Sequence, residues 1–135
     1  MAPNPTPDST RDPASYCALV HAAGARFIEV LDQRALPHVA LRVRIDDANA
    51  AALAIRRMWV RGAPLIGAVG AYGLALALDR DATDAGLAKA HGALDATRPT
   101  AVNLRWALDR VRAAVVTLPV DARADAAWHE ADAIV

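Results

Sequence analysis

Residues 55–78, IRRMWVRGAPLIGAVGAYGLALAL, run from the end of an amphipathic segment through a short Arg-Gly-Ala-Pro connection into a wholly apolar one. Pro64 fixes how this stretch folds. Its ring sets φ for a first helical turn and its missing N–H is no loss there, so the spacing predicts a helix beginning at about Pro64. That helix presents free N–H groups and the positive end of its dipole to Arg61-Gly62-Ala63, where Gly62 lacks the side chain that would block an anion. Arg61 adds a planar fork of donors suited to phosphate or carboxylate. An arginine in a helix–helix loop is also at home as a solvated surface residue, and Gly-Ala-Pro is ordinary turn material, so the loop by itself leaves both readings open.

Within the second helix Gly67, Gly70 and Gly73 recur every third residue, flanked by alanines. A glycine inside a helix costs ~1 kcal/mol relative to alanine, so the expected return is close approach of another helix along this stripe. GxxGxxG is not the GxGxxG dinucleotide fingerprint, and no strand immediately precedes it. The uncharged run 63–78 falls short of the ~20 residues that span a bilayer, and reads as a buried core helix with no membrane partner.

A chain of 135 residues suits one domain with a real core. Its 15 basic and 15 acidic residues cancel, which removes the general electrostatic case for nucleic acid or an anionic membrane surface. Cys17 is the sole cysteine, so neither an intrachain disulfide nor a cysteine metal cluster can form in one copy, and a reducing, cytoplasmic location fits. His21, His38, His91 and His129 are too scattered for a metal motif, and nothing local supports a Ser-His-Asp or Cys-His arrangement. The expectation is no metal and no cofactor.

In chain order, residues 1–25 read as a disordered, proline-rich tail over the first ten residues, without a secretory signal, and then a short helix over 12–24 closed by Gly24. Residues 27–31 read as a strand. From 39 to 45 Val39, Leu41, Val43 and Ile45 alternate with Ala40, Arg42 and Arg44, the pattern of a strand with one solvated face. Asp46 or Asp47 can cap an amphipathic helix over 48–59. Thr83 or Asp84 can cap a helix to about Leu94, with Leu87, His91 and Leu94 on one side. Arg98-Pro99 then repeats the Arg61 arrangement at the start of a helix carrying Leu104, Leu108, Val111 and Val115. If those two helix ends pack together, the two arginines converge on one anion. Leu118-Pro119 breaks the chain, Asp121 can cap, and Ala124, Ala127, Trp128, Ala131 and Ile134 mark a last helix without a stop signal. The fold class is therefore mainly α, a small antiparallel β-ribbon followed by a helical bundle over residues 26–135.

Several motifs extend this reading: Leu31-Asp32-Gln33-Arg34 with Leu36-Pro37, Met58 with Val60-Arg61-Gly62-Ala63-Pro64 and Ile66-Gly67, Ala71-Tyr72-Gly73-Leu74-Ala75, and Arg98-Pro99-Thr100-Ala101-Val102-Asn103-Leu104 with Trp106-Ala107-Leu108. In order and spacing they resemble the N-terminal part of the methylthioribose-1-phosphate isomerase family, enzymes of methionine salvage related to the regulatory subunits of initiation factor 2B. The resemblance implies the helical N-terminal domain of a two-domain α/β enzyme whose Rossmann-like half is absent here. It further implies that Arg61, Gly62, Ala63 and Arg98 bind a phosphosugar substrate at its phosphate end. The family's aldose–ketose isomerisation uses a cysteine and an aspartate as acid and base, without metal or nicotinamide. Both lie in the second half, and Cys17 precedes every matching motif, so no catalytic residue is expected in this chain. Homodimerisation in the family runs mainly through parts this chain lacks. Two readings follow: the substrate-binding portion of the isomerase, inactive alone, or a non-catalytic phosphosugar-binding or regulatory module, including a partner for a separately encoded C-terminal half.

Overall fold

The computed structural model describes residues 18–34 and 41–134. Three strands, β1 (Leu19–Val20), β2 (Ile28–Leu31) and β3 (Arg42–Ile45), form an antiparallel sheet in the order β1-β2-β3. Five helices follow: α1 (Ala48–Arg56), α2 (Ala63–Arg80), α3 (Asp84–Asp95), α4 (Val102–Val115) and α5 (Val120–Ile134). The mainly helical class with a small antiparallel sheet is thus as the sequence predicts.

Alternation sets the sheet's two faces. Ile28, Val30 and Ile45 are wholly buried, while on the other side Arg42 approaches Glu29 at 4.0 Å and the Arg44 guanidinium lies 3.8 Å from the Phe27 ring centroid. Residues 39 and 40 of the expected strand lie outside the described residues. So do 12–17 of the helix expected over 12–24, and the described remainder of that stretch corrects the expectation. Leu19 pairs with Val30, Leu31 N–H donates to the Ala18 oxygen at 3.0 Å, and Gly24 turns the chain between β1 and β2 at φ +77°. Strand pairing outweighs a weak local helical pattern. His21, in that turn, stacks on Trp128 of α5 with centroids 4.8 Å apart and sets Nδ1 2.6 Å from Asp132 Oδ1, which also accepts the Tyr72 hydroxyl at 2.7 Å.

Asp47 caps α1, its Oδ1 accepting Ala50 N–H at 2.6 Å. The helix stops at Arg56, short of the expected Trp59, because the chain closes in a left-handed cap. Met58 has φ +60°, its N–H reaches the Ile55 oxygen at 3.2 Å, and Trp59 N–H reaches the Ala54 oxygen at 2.9 Å. This is the paired closure that usually recruits glycine. The early stop frees residues 57–62 to turn into α2.

α2 is the central element, buried from Ile66 to Leu76 and packed by all four other helices. Its glycines give the expected close approach, toward different neighbours. A β-carbon on Gly70 would lie 2.4 Å from Leu104 Cδ1 of α4, and one on Gly73 would lie 2.8 Å from Ala51 Cβ of α1. Thr83 caps α3 by accepting Gly86 N–H at 3.1 Å. Leu104, Leu108, Val111 and Val115 of α4 are all wholly buried, as their spacing predicts. In α5 Asp121 sits in the first helical turn, not at the cap position expected for it, because the helix already begins at Val120 directly after Pro119. Arg123, whose residue is 5 % exposed, donates to the backbone oxygens of Leu118, Ala82 and Val116 at 3.0, 2.9 and 3.1 Å. One guanidinium thereby closes the α4–α5 turn and ties it to the α2–α3 loop. No helix among the described residues is long and apolar enough to cross a membrane.

Candidate functional site

The α2 N-terminus opens on Gly62, which adopts φ +91° and ψ 133° and offers no side-chain cap. The first bond along the helix runs from Ile66 N–H to the Gly62 oxygen at 3.0 Å, so the N–H groups of Ala63 and Leu65 have no acceptor there. α4 begins in the same state. Its cap residue is Ala101, without a side-chain oxygen, and Arg105 N–H is the first to reach back, to the Ala101 oxygen at 3.2 Å. The N–H groups of Val102, Asn103 and Leu104 have no acceptor among the described residues.

These two uncapped ends pack together. Gly62, Ala63, Arg98, Thr100 and the first turn of α4 line one cleft of about 420 Å³. Gly67 makes the approach possible, since a β-carbon there would stand 3.0 Å from the Asn103 backbone oxygen. Two dipole ends and several unpaired N–H groups therefore face a common space, an arrangement that favours an anion.

Arg98 reaches this cleft by a route the sequence misplaces. The expected helix start at Pro99 is corrected to Val102: Thr97 N–H and Oγ1 bond back to the Leu94 oxygen at 3.2 and 2.6 Å, and Ala101 N–H bonds to the Arg98 oxygen at 3.0 Å. Pro99 thus occupies the second position of a β-turn, where its fixed φ is as well suited as in a first helical turn. Arg98 lies before the helix, half-buried, and its guanidinium makes no ion pair with the described residues. The nearest carboxylate in sequence, Asp95, is taken by Arg105, whose Nη2 lies 2.8 Å from Oδ2 and holds that carboxyl below its usual range.

Of the four sequence-predicted residues, Gly62, Ala63 and Arg98 share the cleft lining, and Arg61 does not. Arg61 stands exposed beside the cleft with no ion pair among the described residues. Its loop is braced from the sheet side. Gln33 N–H donates to the Trp59 oxygen at 2.8 Å, and Arg34 lies over the Trp59 ring at 5.2 Å. Asp32 Oδ1 accepts the backbone N–H and Nε of Arg34, each at 3.0 Å, and Oδ2 accepts Nη2 at 2.8 Å. That bonding to Arg34 outweighs burial and lowers the Asp32 carboxyl from its ordinary value.

A second cleft, of about 390 Å³, adjoins the first and is lined by Pro64, Gly67, Val102, Asn103, Trp106 and Ile134. Val102 and Trp106 are 79 % and 54 % exposed. The sequence carries a signal for them that periodicity alone passes over: both fall off the Leu104–Leu108–Val111 stripe and so are apolar residues facing away from the core.

No family model matches the chain. Curated relatives do. A methylthioribose-1-phosphate isomerase of Paramagnetospirillum magneticum is 52% identical over 116 residues, covering 86% of this chain and 32% of the relative. One of Dechloromonas aromatica is 57% identical over 109 residues, 81% of this chain and 30% of that protein. Among solved structures, 5-methylthioribose 1-phosphate isomerase of Pyrococcus horikoshii matches with a TM-score of 0.78 at 33% identity, over 87% of this chain and 35% of that one. The delta subunit of translation initiation factor eIF-2B from A. fulgidus matches with a TM-score of 0.77 at 31% identity, over 87% and 36%. The chain spans about a third of the length of these relatives. Over most of its own length it is therefore homologous, in sequence and in fold, to the methylthioribose-1-phosphate isomerases and to the superfamily they share with the eIF-2B delta subunit.

Proposed function

We propose that the chain is the N-terminal, substrate-holding portion of an S-methyl-5-thioribose-1-phosphate isomerase of methionine salvage, working in the cytoplasm. It grips the phosphate of methylthioribose 1-phosphate with Arg61, Gly62, Ala63 and Arg98. The observation that carries this is the joining of two uncapped helix N-termini around a cleft that Arg98 lines. Arg61, exposed and one residue before Gly62 of the lining, joins them in this reading.

The proton transfers of the isomerisation need an acid and a base within hydrogen-bond reach of the sugar. No residue lining the cleft is a carboxylic acid, histidine, cysteine or lysine. The chemistry therefore belongs to sequence outside the matched third, a Rossmann-like half that is also the chain's natural partner and the main route to a homodimer. Fusing the chain to the remaining two-thirds of the Dechloromonas aromatica relative tests this directly. The fusion is expected to convert methylthioribose 1-phosphate to its ketose, with no turnover by the 135-residue chain alone. Turnover by the isolated chain above a buffer blank, or a well-folded fusion that binds no phosphosugar, overturns the reading.

The likeness to the eIF-2B delta subunit favours a second reading, a non-catalytic phosphosugar-binding or regulatory module. It predicts binding of the phosphosugar by the chain but no isomerisation by the folded fusion.

A further inference from the structure

Asn103 stands in the first turn of α4, where side chains tilt toward the helix N-terminus and so toward the anion cleft. It is exposed, and its side-chain amide makes no hydrogen bond with the described residues. It lines both the anion cleft and the adjoining apolar one. Its backbone, by contrast, packs close to α2, the carbonyl oxygen lying 3.0 Å from where a β-carbon on Gly67 would stand. A polar side chain without a partner among the described residues thus stands at the junction of the cleft between the two helix ends and a space walled by Pro64, Val102, Trp106 and Ile134.

The chemistry of the neighbours narrows what that amide can do. Arg98 and the free N–H groups only donate, which suits phosphate oxygens but cannot accept from a hydroxyl. Thr100 borders the anion cleft but not the apolar one. In the apolar cleft the indole of Trp106 is likewise a donor only. Asn103 offers two donors and an acceptor, the complement of a sugar hydroxyl that must both give and receive.

We infer that Asn103 is a ligand-reading residue whose side-chain amide hydrogen-bonds the sugar hydroxyls next to a phosphate held in the cleft. The inference rests on the phosphosugar reading of that cleft. The phosphate sets the anchor, and Asn103 distinguishes a phosphorylated sugar from phosphate alone.

The test titrates the full chain with inorganic phosphate and with ribose 1-phosphate, following the backbone amide signals of Gly62, Ala63 and Val102 by NMR. Asn103→Ala is expected to weaken ribose 1-phosphate about tenfold, the equivalent of one hydrogen bond, while leaving inorganic phosphate within about twofold. Arg98→Ala should weaken both probes. Asn103→Asp puts a negative charge in the same place and should weaken inorganic phosphate several-fold as well. If the wild-type chain binds neither probe, or Arg98→Ala moves neither, the phosphosugar reading fails and this inference with it. If Arg98→Ala weakens both but Asn103→Ala shifts the two probes equally or not at all, the cleft stands and the role of Asn103 is overturned. Unchanged phosphate binding in Asn103→Asp overturns it too, since the side chain then does not face the ligand. Melting curves of the exposed-site variants, expected to match wild type, keep a folding defect distinguishable from a lost contact.

Discussion

Gly67 and Asn103 meet backbone to backbone, with the space for a Gly67 β-carbon ending 3.0 Å from the Asn103 carbonyl oxygen. That contact sets how near the α2 and α4 N-termini come. Gly67→Ala gains ~1 kcal/mol of helix propensity but forces a main-chain neighbour to give way, which a flexible side chain could do cheaply and a helix cannot. The expected outcome is a urea midpoint no higher than wild type, with phosphosugar binding weakened as the two helix ends part. A midpoint raised by the full propensity gain, with binding intact, would show that the approach is not tight.

Gly92, inside α3, has nothing within 4 Å of an added β-carbon. Here the propensity term acts unopposed, so Gly92→Ala should stabilise the chain by about 0.5–1 kcal/mol and raise its melting temperature. An unchanged or lowered melting temperature would mean that α3 is not formed as described.

The helices, their buried stripes and the stacking of small residues are legible in the sequence because each depends on local spacing. Leu104, Leu108, Val111 and Val115 face inward because only one face of a helix can. Boundaries are less legible where one residue suits two structures. Pro99 serves a helix start or a β-turn equally well, and only the bonds from Thr97 back to Leu94 and from Ala101 back to Arg98 decide between them. Met58 shows the same difficulty in reverse, taking a left-handed cap that glycine usually fills. In the cleft, Gly62 and Ala63 follow from Pro64, whereas the meeting of the two helix ends depends on tertiary packing. The role of Arg123 is not legible in the sequence, because it joins the nearby Val116 and Leu118 carbonyls to that of Ala82, 41 residues away, which only tertiary packing brings within reach.

Arg123 should matter to stability in proportion to that network. Arg123→Met keeps the apolar stem but removes the donors to Ala82, Val116 and Leu118, and is expected to cost about 1.5–3 kcal/mol by urea denaturation. Arg123→Lys should recover little, because one ammonium cannot span three carbonyls that a planar fork reaches. Full recovery with lysine would show that charge alone matters at this position.

Three carboxyls, Asp32, Asp81 and Asp95, sit below their ordinary value, held there mainly by hydrogen bonds from Arg34, Thr83 and Arg105 respectively. A carboxyl depressed in the folded state stabilises the fold fully above its unfolded value of about 3.9, and that contribution fades as pH falls through the folded value. Stability should therefore be level near neutrality and decline below about pH 4. Asp32→Asn should flatten this acid limb, seen in urea midpoints measured across pH. An acid limb of unchanged slope would mean that Asp32 is not ion-paired in the folded chain.

Arg61 and Arg98, the two arginines proposed to hold the phosphate, stand in different situations, and their variants should separate binding from folding. Arg98 lines the cleft half-buried, while Arg61 stands exposed beside it, and neither is held by a carboxylate among the described residues. Both guanidinium groups are thus free to bind without first breaking an ion pair. A hydrogen bond to a charged group contributes about 1.5–3 kcal/mol, so removing either arginine should weaken phosphosugar binding roughly ten- to a hundred-fold. Because Arg61 is exposed and its side chain makes no hydrogen bond or ion pair among the described residues, Arg61→Ala should melt like wild type. Arg61→Lys keeps the charge but not the two-pronged geometry, and its affinity should fall between wild type and Arg61→Ala. Binding is measured on the fusion with the remaining two-thirds of a relative, for methylthioribose 1-phosphate and for its dephosphorylated form. Loss of preference for the phosphorylated ligand in both alanine variants is the expected result. If both variants discriminate the two ligands as well as wild type, the arginines are surface residues of a loop and the proposed grip on the phosphate fails.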